Sequence, residues 1–244
     1  MYNINMSTTD IIIVSYKDEI ELKRCISSIK KYCKDYTLYI EDNNIEGQNR
    51  GFSLAVNDAI KKGSSEFIWL LNSDAIVKNE MTQQALIDRF SHSPRIGIVS
   101  SCQLDYDNPD RIRCAQTLQC FPGGVHSGGF VSMGHGQIPM KQCWANGASM
   151  MIRRSIIIDV GLLSDSMYLL YSDSDFCYTA RSKGYECWYE PRSQVFHGLK
   201  VSKTNTEWHK KDMEAFMRKW GITYIKETNS FQYSELFQKL DMFP

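Results

Sequence analysis

The alternation of short apolar runs with amphipathic segments constrains the fold of this chain more than any other feature. The apolar runs have the length of buried strands, and they are DIIIVSY (10–16), TLYIEDNN (37–44), FIWLL (67–71) and IGIVSSCQL (96–104). The segments between them carry apolar residues at helical spacing, and they are EIELKRCISSIKKYC (19–33), FSLAVNDAIKK (52–62) and MTQQALIDRF (81–90). Strands that alternate with helices of this length indicate βαβ units. We therefore predict an α/β fold with a mainly parallel sheet covered by helices on both faces.

The second half of the chain is less regular. A Gly-rich segment, GGVHSGGFVSMGHG (123–136), predicts a loop rather than a core element. Helices are expected around RRSIIIDVGLL and SDFCYTARSKG, a short strand at YECWYEP, ending at Pro191, and an amphipathic helix from Trp208. There is no internal repeat or low-complexity linker. We predict one domain over residues 1–244, with halves of about 10–100 and about 101–204 and C-terminal helices over about 205–244.

Composition excludes several classes of protein. The chain has 244 residues, 43% of them hydrophobic, and its formal net charge of zero provides no electrostatic basis for binding nucleic acid. The eight cysteines include no Cys-x-x-Cys pair, and the first residues lack the pattern of a secretory signal. No apolar stretch approaches the roughly 20 residues that span a bilayer. We expect a cytoplasmic protein with reduced thiols and no transmembrane segment, for which peripheral contact with the inner face of a membrane stays open.

Polar clusters follow the first three predicted strands. They are Ser15-Tyr16, Glu41 to Asn44, and Asn72 to Asp74. Parallel strands end at one edge of a sheet, and open α/β sheets bind ligands beyond that edge. A single cluster of this kind is more often a turn or a helix cap, but three at the same edge favour a ligand cleft. There a divalent cation and a diphosphate would be partners for the Asp74 carboxylate, which directly follows a wholly apolar strand.

The residues after the first strand exclude two common phosphate sites. A dinucleotide site needs a glycine-rich turn at this point, and a nucleoside-triphosphate loop needs GxxxxGK[ST]. The chain has SYKDEIEL there instead. A site with carboxylates but no glycine cradle is better suited to holding a nucleoside diphosphate through a bound metal.

Together, these stretches resemble a family 2 glycosyltransferase of the GT-A fold, especially its rhamnosyltransferase-like branch. The matching blocks are IIIVSYK, YIEDNN, NRGFSLAVNDAI, FIWLLNSDA and the long stretch that begins GASMMIRR and ends EPRSQVFH, and they follow the family's order from residue 10 to about 200. The resemblance implies a Rossmann-like nucleotide-diphospho-sugar transferase fold, with a mixed, mainly parallel sheet flanked by helices. It also assigns nucleotide binding to the first half of the chain and acceptor binding and catalysis to the second.

The resemblance further implies which residues contact the nucleotide. Asp42 would read the nucleobase or ribose, and Asn49 begins the family's Asn-x-Gly-Phe block, whose turn places the backbone near the nucleotide. The residues assigned to nucleotide binding in this way are Ser15, Tyr16, Asp42, Asn49, Gly51, Phe52 and Asn72.

Two residues would bind a metal ion. Asp74 matches the metal-binding aspartate of the family's DxD motif, and His197 matches the histidine of its Val-Phe-His block. Without the resemblance, a lone histidine after a strand is more often structural. Asn72 stands at the first position of the DxD motif, so one carboxylate remains there, although an amide still hydrogen-bonds ribose or a metal-bound water. The implied cofactor is Mn²⁺ or Mg²⁺, and the implied donor is a UDP-, dTDP- or GDP-linked sugar.

The segment SDSD, residues 172–175, corresponds to the family's Glu-Asp-x-Asp, which supplies the catalytic base. Asp173 would take that role, because an acceptor hydroxyl must lose its proton as it attacks the anomeric carbon. Ser172 replaces the family's glutamate and removes a charge beside Asp173. The segment is equally typical of a helix N-terminus, and Asp175 is the predicted capping or acceptor-orienting residue.

Other features are weaker candidates. Trp144 and Gly147 are assigned to the acceptor side, where the tryptophan would present an aromatic face to a sugar, but a core tryptophan is about as expected. His126 and His135 could bind metal, but a loop beside the acceptor site explains them better. The basic residues of the helix from Trp208 suit anionic lipid, but acidic residues on it, such as Asp212, favour a solvated face.

The expected function is an inverting, metal-dependent transfer of a sugar, with rhamnose as one candidate, from a nucleoside-diphosphate sugar to a hydroxyl of a glycan, glycolipid or glycoprotein. Polysaccharide biosynthesis is the implied context. A domain of this fold that binds nucleotide or glycan without turnover stays open as an alternative, and Asn72 and Ser172 favour it. A sugar nucleotidyltransferase is less favoured, because it should carry a glycine-rich, basic loop where this chain has SYKDE.

Overall fold

The computed structural model describes residues 8–46, 48–122, 125–126, 131–132, 136–198 and 206–242. The helices are α1 (Glu19–Tyr32), α2 (Phe52–Lys62), α3 (Met81–Phe90), α4 (Ile157–Val160), α5 (Ser172–Ser182), α6 (Thr206–Trp220) and α7 (Glu235–Met242). The strands are β1 (Thr9–Ser15), β2 (Tyr36–Asp42), β3 (Asn44–Ile45), β4 (Gln48–Asn49), β5 (Phe67–Leu71), β6 (Ala75–Val77), β7 (Ile96–Asp105), β8 (Arg111–Cys114), β9 (Thr117–Gln119), β10 (Val125–His126), β11 (Val131–Ser132), β12 (Met140–Lys141), β13 (Ser149–Arg153), β14 (Glu186–His197), β15 (Thr223–Ile225) and β16 (Ser230–Gln232). The helices and strands predicted in the first hundred residues are confirmed.

One mixed sheet runs through the molecule, with the strand order β11-β8-β7-β13-β5-β1-β2. β2, β1 and β5 are parallel neighbours, and β7 is parallel to β14, whereas β13 lies antiparallel between β5 and β7. β14 also pairs antiparallel with β6 and β12. The predicted mixed, mainly parallel sheet is confirmed. The prediction of a single domain over residues 1–244 stays a prediction.

Both faces of the sheet are buried beneath helices. Side chains alternate along a strand, so Ile11 and Ile13 of β1 pack on one face with residues of α1 and α3. Ile12 lies on the opposite face, in the cluster that contains residues of α2 and α6. All five residues of β5 are buried, which explains why this strand reads as an uninterrupted apolar run in the sequence.

β14 is longer than the strand that the sequence predicts. The predicted strand ends at Pro191, but β14 extends from Glu186 to His197. Proline lacks a backbone N–H and is tolerated in a strand where the pairing is irregular. The register of β14 against β7 shifts between Glu190 and Gln194, and Pro191 lies inside that irregular stretch. The strand therefore continues past the proline and brings His197 to the edge of the sheet.

Some strands have no clear signal in the sequence. β13 lies in the middle of the sheet, yet its sequence, SMMIR, is poor in the β-branched residues that favour strands. The Gly-rich segment predicted as a loop contains two short strands among its described residues, because β10 pairs with β9 and β11 pairs with β8. Backbone pairing of this kind does not depend on a periodic side-chain pattern.

A buried ion pair ties the start of β1 to residues that follow α2 and β13. The Asp10 carboxylate accepts hydrogen bonds from the Ser65 N–H at 3.1 Å and from the Ser65 hydroxyl at 2.6 Å, and it pairs with Arg154. Breaking a buried pair by removing one partner typically costs about 3–5 kcal/mol. Gly63 packs directly against this pair, and a Cβ added there would overlap Asp10 Oδ2.

We expect Gly63→Ala to lower the free energy of unfolding by about 1–3 kcal/mol, because the added methyl group displaces the buried carboxylate. Gly198→Ala is the matched control, since the nearest atom to a Cβ there is Tyr106 Cβ at 3.9 Å. Urea denaturation measures both variants. Equal stability of the two would rule out the overlap at Asp10.

Candidate active site

Asp18 joins the polar clusters that follow β1 and β5. Ser15, the last residue of β1, donates its hydroxyl to Asp18 Oδ1 at 2.5 Å, and Ser73 donates its hydroxyl to Asp18 Oδ2. The Asn43 N–H donates to the Ser15 carbonyl at 2.8 Å, which brings the cluster after β2 to the same edge of the sheet. Asp18 belongs to no motif, so no sequence pattern points to it.

Asn43 shapes the turn that contains Asn49 and Gly51. Its side chain is buried, and its Nδ2 donates to Asn49 Oδ1 at 2.6 Å and to the Gly51 carbonyl at 3.1 Å. Arg50 Nε donates to Asn43 Oδ1 at 3.2 Å, and the Gly51 N–H donates to Asn49 Oδ1 at 2.8 Å. The Asn49 side chain is therefore used to hold the turn in shape.

A segment around Tyr168 covers this turn. Gly51 has a φ of +97°, and a Cβ there would lie 2.8 Å from Tyr168 Cδ2, so the position requires glycine. The Phe52 N–H donates to the Tyr168 carbonyl at 2.7 Å, and the Tyr168 hydroxyl donates to the Asn49 carbonyl. The Tyr168 ring stacks on Trp208 of α6, with 4.1 Å between the ring centroids.

Asp212 of α6 holds this segment in place. Its buried carboxylate accepts the N–H groups of Tyr168 at 2.7 Å and of Leu169 and Leu170 at 2.8 Å each. Three donors on one carboxylate offset the cost of burying its charge. The prediction of a solvated acidic face on this helix is therefore wrong for Asp212, because tertiary hydrogen bonds replace its hydration.

Asp42 and Tyr16 are more accessible. Asp42, the last residue of β2, is exposed and lies beside Ser15 in the register of β1 and β2. Its Oδ1 accepts the Asn44 N–H at 2.9 Å, which orients the carboxylate. Tyr16 is half-buried, and Lys17 Nζ lies 5.0 Å from the centroid of its ring.

Asp74 and His197, the two predicted metal ligands, are in direct contact. β14 pairs with β6 so that His197 lies opposite Ala75, the residue after Asp74. His197 Nε2 lies 3.2 Å from Asp74 Oδ1, and His197 Nδ1 lies 3.0 Å from Gln103 Oε1. Asn72 is half-buried nearby in the chain. Among the described residues, no group of three or more His, Cys, Asp and Glu side chains could hold a metal ion, so the protein offers one carboxylate and one imidazole here.

Asp173 lies in the first turn of α5 and is half-buried. Its Oδ2 accepts the Gly147 N–H at 2.8 Å, and its Oδ1 accepts the Ser174 N–H at 2.7 Å. Burial raises the pKa of this carboxyl above its ordinary value, although the hydrogen bonds from Gly147 and Ser174 act in the opposite direction. Desolvation therefore gives this carboxylate a higher proton affinity than an exposed aspartate has.

A short chain of contacts joins His197 to the loop that holds Asp173. Gln103 bonds the histidine through its Oε1, and its Nε2 donates to Asn146 Oδ1 at 3.1 Å. Asn146 directly precedes Gly147, whose N–H binds Asp173. The two predicted metal ligands and the predicted base therefore lie around one part of the sheet edge.

Comparison with known proteins identifies the family of the chain. A family model described as "Glycosyltransferase like family 2" matches residues 2–220. The chain belongs to this family.

Two relatives of this family 2 chain are enzymes of glycan synthesis by name. The low-salt glycan biosynthesis hexosyltransferase Agl10 of Haloferax volcanii is 23% identical over 225 residues, which cover 81% of this chain and 69% of the relative. A poly-beta-1,6-N-acetyl-D-glucosamine synthase of Staphylococcus aureus is 27% identical over 150 residues. That match covers 59% of this chain and 33% of the synthase.

Two solved structures show the fold. GalNAc-T7 with UDP, GalNAc and Mn²⁺ has a TM-score of 0.64 at 14% identity, over 81% of this chain and 45% of that one. The mannosyltransferase PcManGT of Pyrobaculum calidifontis, in complex with GDP-Man and Mn²⁺, has a TM-score of 0.61 at 12% identity, over 96% of this chain and 67% of that one. The predicted GT-A fold is confirmed. The chain spans less than half of GalNAc-T7 and one third of the synthase.

Asp175 lies in the first turn of α5, as predicted, but its side chain bonds α6. It does not cap α5, which follows Tyr171 with a φ of +64° and no side-chain cap. Its buried carboxylate accepts Trp220 Nε1 at 3.0 Å and pairs with Lys219 Nζ at 2.7 Å. Asp175 therefore links α5 to the end of α6. The capping alternative is wrong because tertiary partners occupy both oxygens, and the acceptor-orienting alternative stays a prediction.

The remaining candidates are Trp144, Gly147 and the two histidines of the Gly-rich segment. Trp144 is 6% exposed and belongs to the main hydrophobic core, which favours the core alternative over contact with a sugar. Gly147 faces Asp173, as described above. His135 lies outside the described residues, as does the side chain of His126. No helix in the described ranges is long and apolar enough to cross a bilayer.

We expect Asp212→Ala to release the segment 168–170, because three backbone N–H groups lose their acceptor. Amide hydrogen exchange in this segment should accelerate by roughly tenfold or more, as the loss of about 1–3 kcal/mol of local stability implies. Glu207→Ala is the control on the same helix, since Glu207 is exposed and pairs with Lys211 at the surface. Unchanged protection in Asp212→Ala would show that α6 does not hold the segment.

Proposed function

We propose that this family 2 protein transfers a sugar from a nucleoside-diphosphate sugar to a hydroxyl of a glycan or glycoconjugate, with inversion at the anomeric carbon and Asp173 as the general base. One observation carries the proposal. Asp74 and His197 are in contact, and Gln103 and Asn146 link them to the loop that binds Asp173. Asp74, Gln103 and His197 lie at the carboxyl ends of β5, β7 and β14, where open α/β sheets bind ligands.

The nucleotide would bind at the ends of β1 and β2. Asp42 is exposed, with its carboxylate oriented by the Asn44 N–H, so it is able to accept hydrogen bonds from ribose hydroxyls or a base. Ser15 and Tyr16 border the same edge, and the turn from Asn49 to Phe52 would present its backbone. The presence of UDP and of GDP-Man in the two similar structures supports a nucleoside-diphosphate donor.

Asp74 and His197 fit a divalent cation. Two neighbouring ligands of an octahedral ion, each about 2.1 Å from the metal, lie about 3.0 Å apart. The 3.2 Å between Asp74 Oδ1 and His197 Nε2 is close to that separation. Carboxylate oxygen and imidazole nitrogen both suit Mn²⁺, which the two similar structures contain, and Mg²⁺ is usually bound by few carboxylates together with phosphates. When bound, the ion supplies positive charge that stabilises the leaving diphosphate.

Asp173 would accept the proton of the attacking hydroxyl. A carboxylate with a raised pKa is a stronger base than an exposed one, and the Gly147 and Ser174 N–H groups orient its oxygens. The acceptor would attack on the face opposite the diphosphate, which gives inversion in a single displacement. The resemblance to rhamnosyltransferases makes dTDP-rhamnose the first donor to test.

A catalytically inactive binding module of the same fold is the second candidate. Two features favour it: Asn72 and Ser172 replace carboxylates of the family's pattern. In addition, the described residues bring only two protein ligands together for a metal. Calorimetry with UDP, dTDP and GDP in the presence of Mn²⁺, combined with a transfer assay, separates the candidates, because a module binds nucleotide without transferring or hydrolysing any donor.

We expect Asp173→Asn to lower kcat for transfer by about 10²–10⁴-fold, because the amide cannot accept the proton. The assay uses a panel of dTDP-, UDP- and GDP-linked sugars with Mn²⁺, and NMR of the product reports its anomeric configuration. Asp35→Asn is the matched control, since Asp35 is exposed just before β2, at the opposite end of the strand from Asp42. Unchanged transfer by Asp173→Asn would exclude this residue as the base.

The pH dependence of transfer should reflect the raised pKa of Asp173. The reaction needs the deprotonated carboxylate, so kcat falls as the pH drops through that pKa, and we expect this acid limb above the ordinary aspartate value of about 3.9. Ser174→Ala removes a hydroxyl that donates to Asp173 Oδ1 at 3.3 Å and favours the charged form, so it should move the limb to higher pH. A limb at or below the ordinary value, or a downward shift in Ser174→Ala, would argue against Asp173.

A further inference from the structure

We infer that Gln103 and Asn146 are positioning residues that hold His197 in one tautomer, with its Nε2 lone pair directed at Asp74, and that attach this histidine to the loop of the catalytic base. Any contribution of Gln103 and Asn146 to sugar transfer rests on the proposed function. The assignment of the tautomer does not, because it follows from the hydrogen-bond partners of His197 and Gln103 and from their burial. Neither Gln103 nor Asn146 contacts Asp74 or Asp173 through its side chain in the hydrogen bonds described above.

The assignment starts from a backbone group whose role is not ambiguous. The Ala148 N–H lies 2.9 Å from a side-chain atom of Asn146, and a backbone N–H can only donate. The Asn146 atom is therefore the oxygen, Oδ1. An amide whose oxygen and nitrogen were exchanged would place two donors against each other, so the orientation of this side chain is determined.

The orientation of Gln103 follows from that of Asn146. The Gln103 atom that lies 3.1 Å from Asn146 Oδ1 must be a donor, so it is Nε2. The other amide atom, Oε1, then faces His197 Nδ1 at 3.0 Å. Both ring nitrogens face an oxygen that only accepts, Gln103 Oε1 at Nδ1 and Asp74 Oδ1 at Nε2. Gln103 is 2% exposed and is fixed by Asn146, whereas the Asp74 side chain is 22% exposed and reaches water, so the proton of the neutral ring is assigned to Nδ1 and the lone pair to Nε2.

This tautomer prepares the contact with Asp74 for a cation. His197 Nε2 and Asp74 Oδ1 are 3.2 Å apart, and in the neutral ring both atoms carry lone pairs directed into the same space. Two electron-rich atoms at this distance repel each other unless a positive charge lies between or beside them. An outer hydrogen bond that fixes the tautomer of a metal-binding histidine is a common feature of metal sites, and its loss typically weakens metal binding by about 10–100-fold.

The same two residues connect His197 to Asp173. Asn146 accepts from Gln103 and from the Ala148 N–H through one oxygen, so this side chain closes the turn of residues 146–148 around Gly147. The Gly147 N–H at the centre of the turn donates to Asp173 Oδ2 at 2.8 Å. A displacement of Gln103 would therefore disturb the turn that orients the base as well as the histidine.

Nitrogen-15 NMR of the metal-free full chain, at a pH where the His197 ring is neutral, tests the tautomer directly. We expect Nδ1–H in the unmodified protein and a change toward Nε2–H, donated to Asp74, in Gln103→Met. Gln83→Met is the matched control, because Gln83 is also buried and bonded on both sides, to Thr9 and to Lys34, but lies at the opposite end of β1. Dominant Nε2–H in the unmodified protein, or an unchanged tautomer in Gln103→Met, would overturn the inference.

Gln103→Glu provides a second variant if Gln103→Met does not fold. A glutamate oxygen still accepts from Nδ1–H, but its other oxygen opposes Asn146 Oδ1, so we expect the tautomer to persist and amide exchange at residues 146–148 to accelerate. An unchanged exchange rate in this variant would overturn the connection to the loop. The Gln83→Met protein again serves as the control.

Binding of Mn²⁺ alone and of Mn²⁺ with UDP, measured from the EPR signal of free Mn²⁺, gives a readout that does not depend on turnover. We expect Gln103→Met to weaken Mn²⁺ binding by about 10–100-fold, while Gln83→Met leaves it unchanged. The unmodified protein could bind no Mn²⁺ while the NMR spectra still show that Gln103→Met replaces the Nδ1–H tautomer. In that case the proposed metal dependence fails and the positioning role of Gln103 stands. Equal Mn²⁺ affinity in the two variants would overturn the role of Gln103 at the metal.

Discussion

The pairing of β14 with both β6 and β7 is the constraint on which the site depends. The strand passes Pro191 within an irregular stretch and ends at His197, which lies opposite Ala75 of β6 and opposite Asp105 of β7. Because side chains alternate along a strand, a shift of one residue in this register would turn the imidazole to the other face of the sheet. The contact between His197 and Asp74 is therefore a consequence of strand register, which long-range pairing sets.

Buried carboxylates on α5 and α6 tie helix α6 to the same site. Asp212 reaches from α6 to three N–H groups of the segment 168–170, and Asp175 of α5 pairs with Lys219 near the end of α6. A buried carboxylate without hydrogen-bond donors would be costly. Asp212 accepts the N–H groups of segment 168–170, and Asp175 is bonded by Lys219 and Trp220 of α6. The segment 168–170 in turn covers the turn at Gly51. The arrangement of the predicted nucleotide side thus depends on residues of α6, which follow the sequence blocks that carry the resemblance but lie within the family match of residues 2–220.

Periodicity predicted the first half of the fold because β1, β5 and β7 are buried on both faces and read as apolar runs. β13 was missed, since its position in the sheet comes from tertiary pairing rather than from its composition. A single acidic, histidine or amide residue has no periodic pattern, so periodicity cannot identify the polar residues of the site. Asp74, His197 and Asp173 are identified by the resemblance to the family instead. Gln103 and His197, for example, are separated by 94 positions, so their contact is visible only after folding.

The replacement of the family's glutamate by Ser172 is consistent with a functional base. Ser172 is 2% exposed, so a glutamate there would be buried next to Asp173, whose pKa burial already raises. A second buried carboxylate would raise that pKa further by repulsion and would need a partner of its own. Serine avoids the repulsion and leaves Asp173 with the N–H groups of Gly147 and Ser174 as donors. Ser172 therefore favours the ionised form of Asp173, which is the form that accepts a proton, so of the two replacements that favour a binding module Asn72 carries the greater weight.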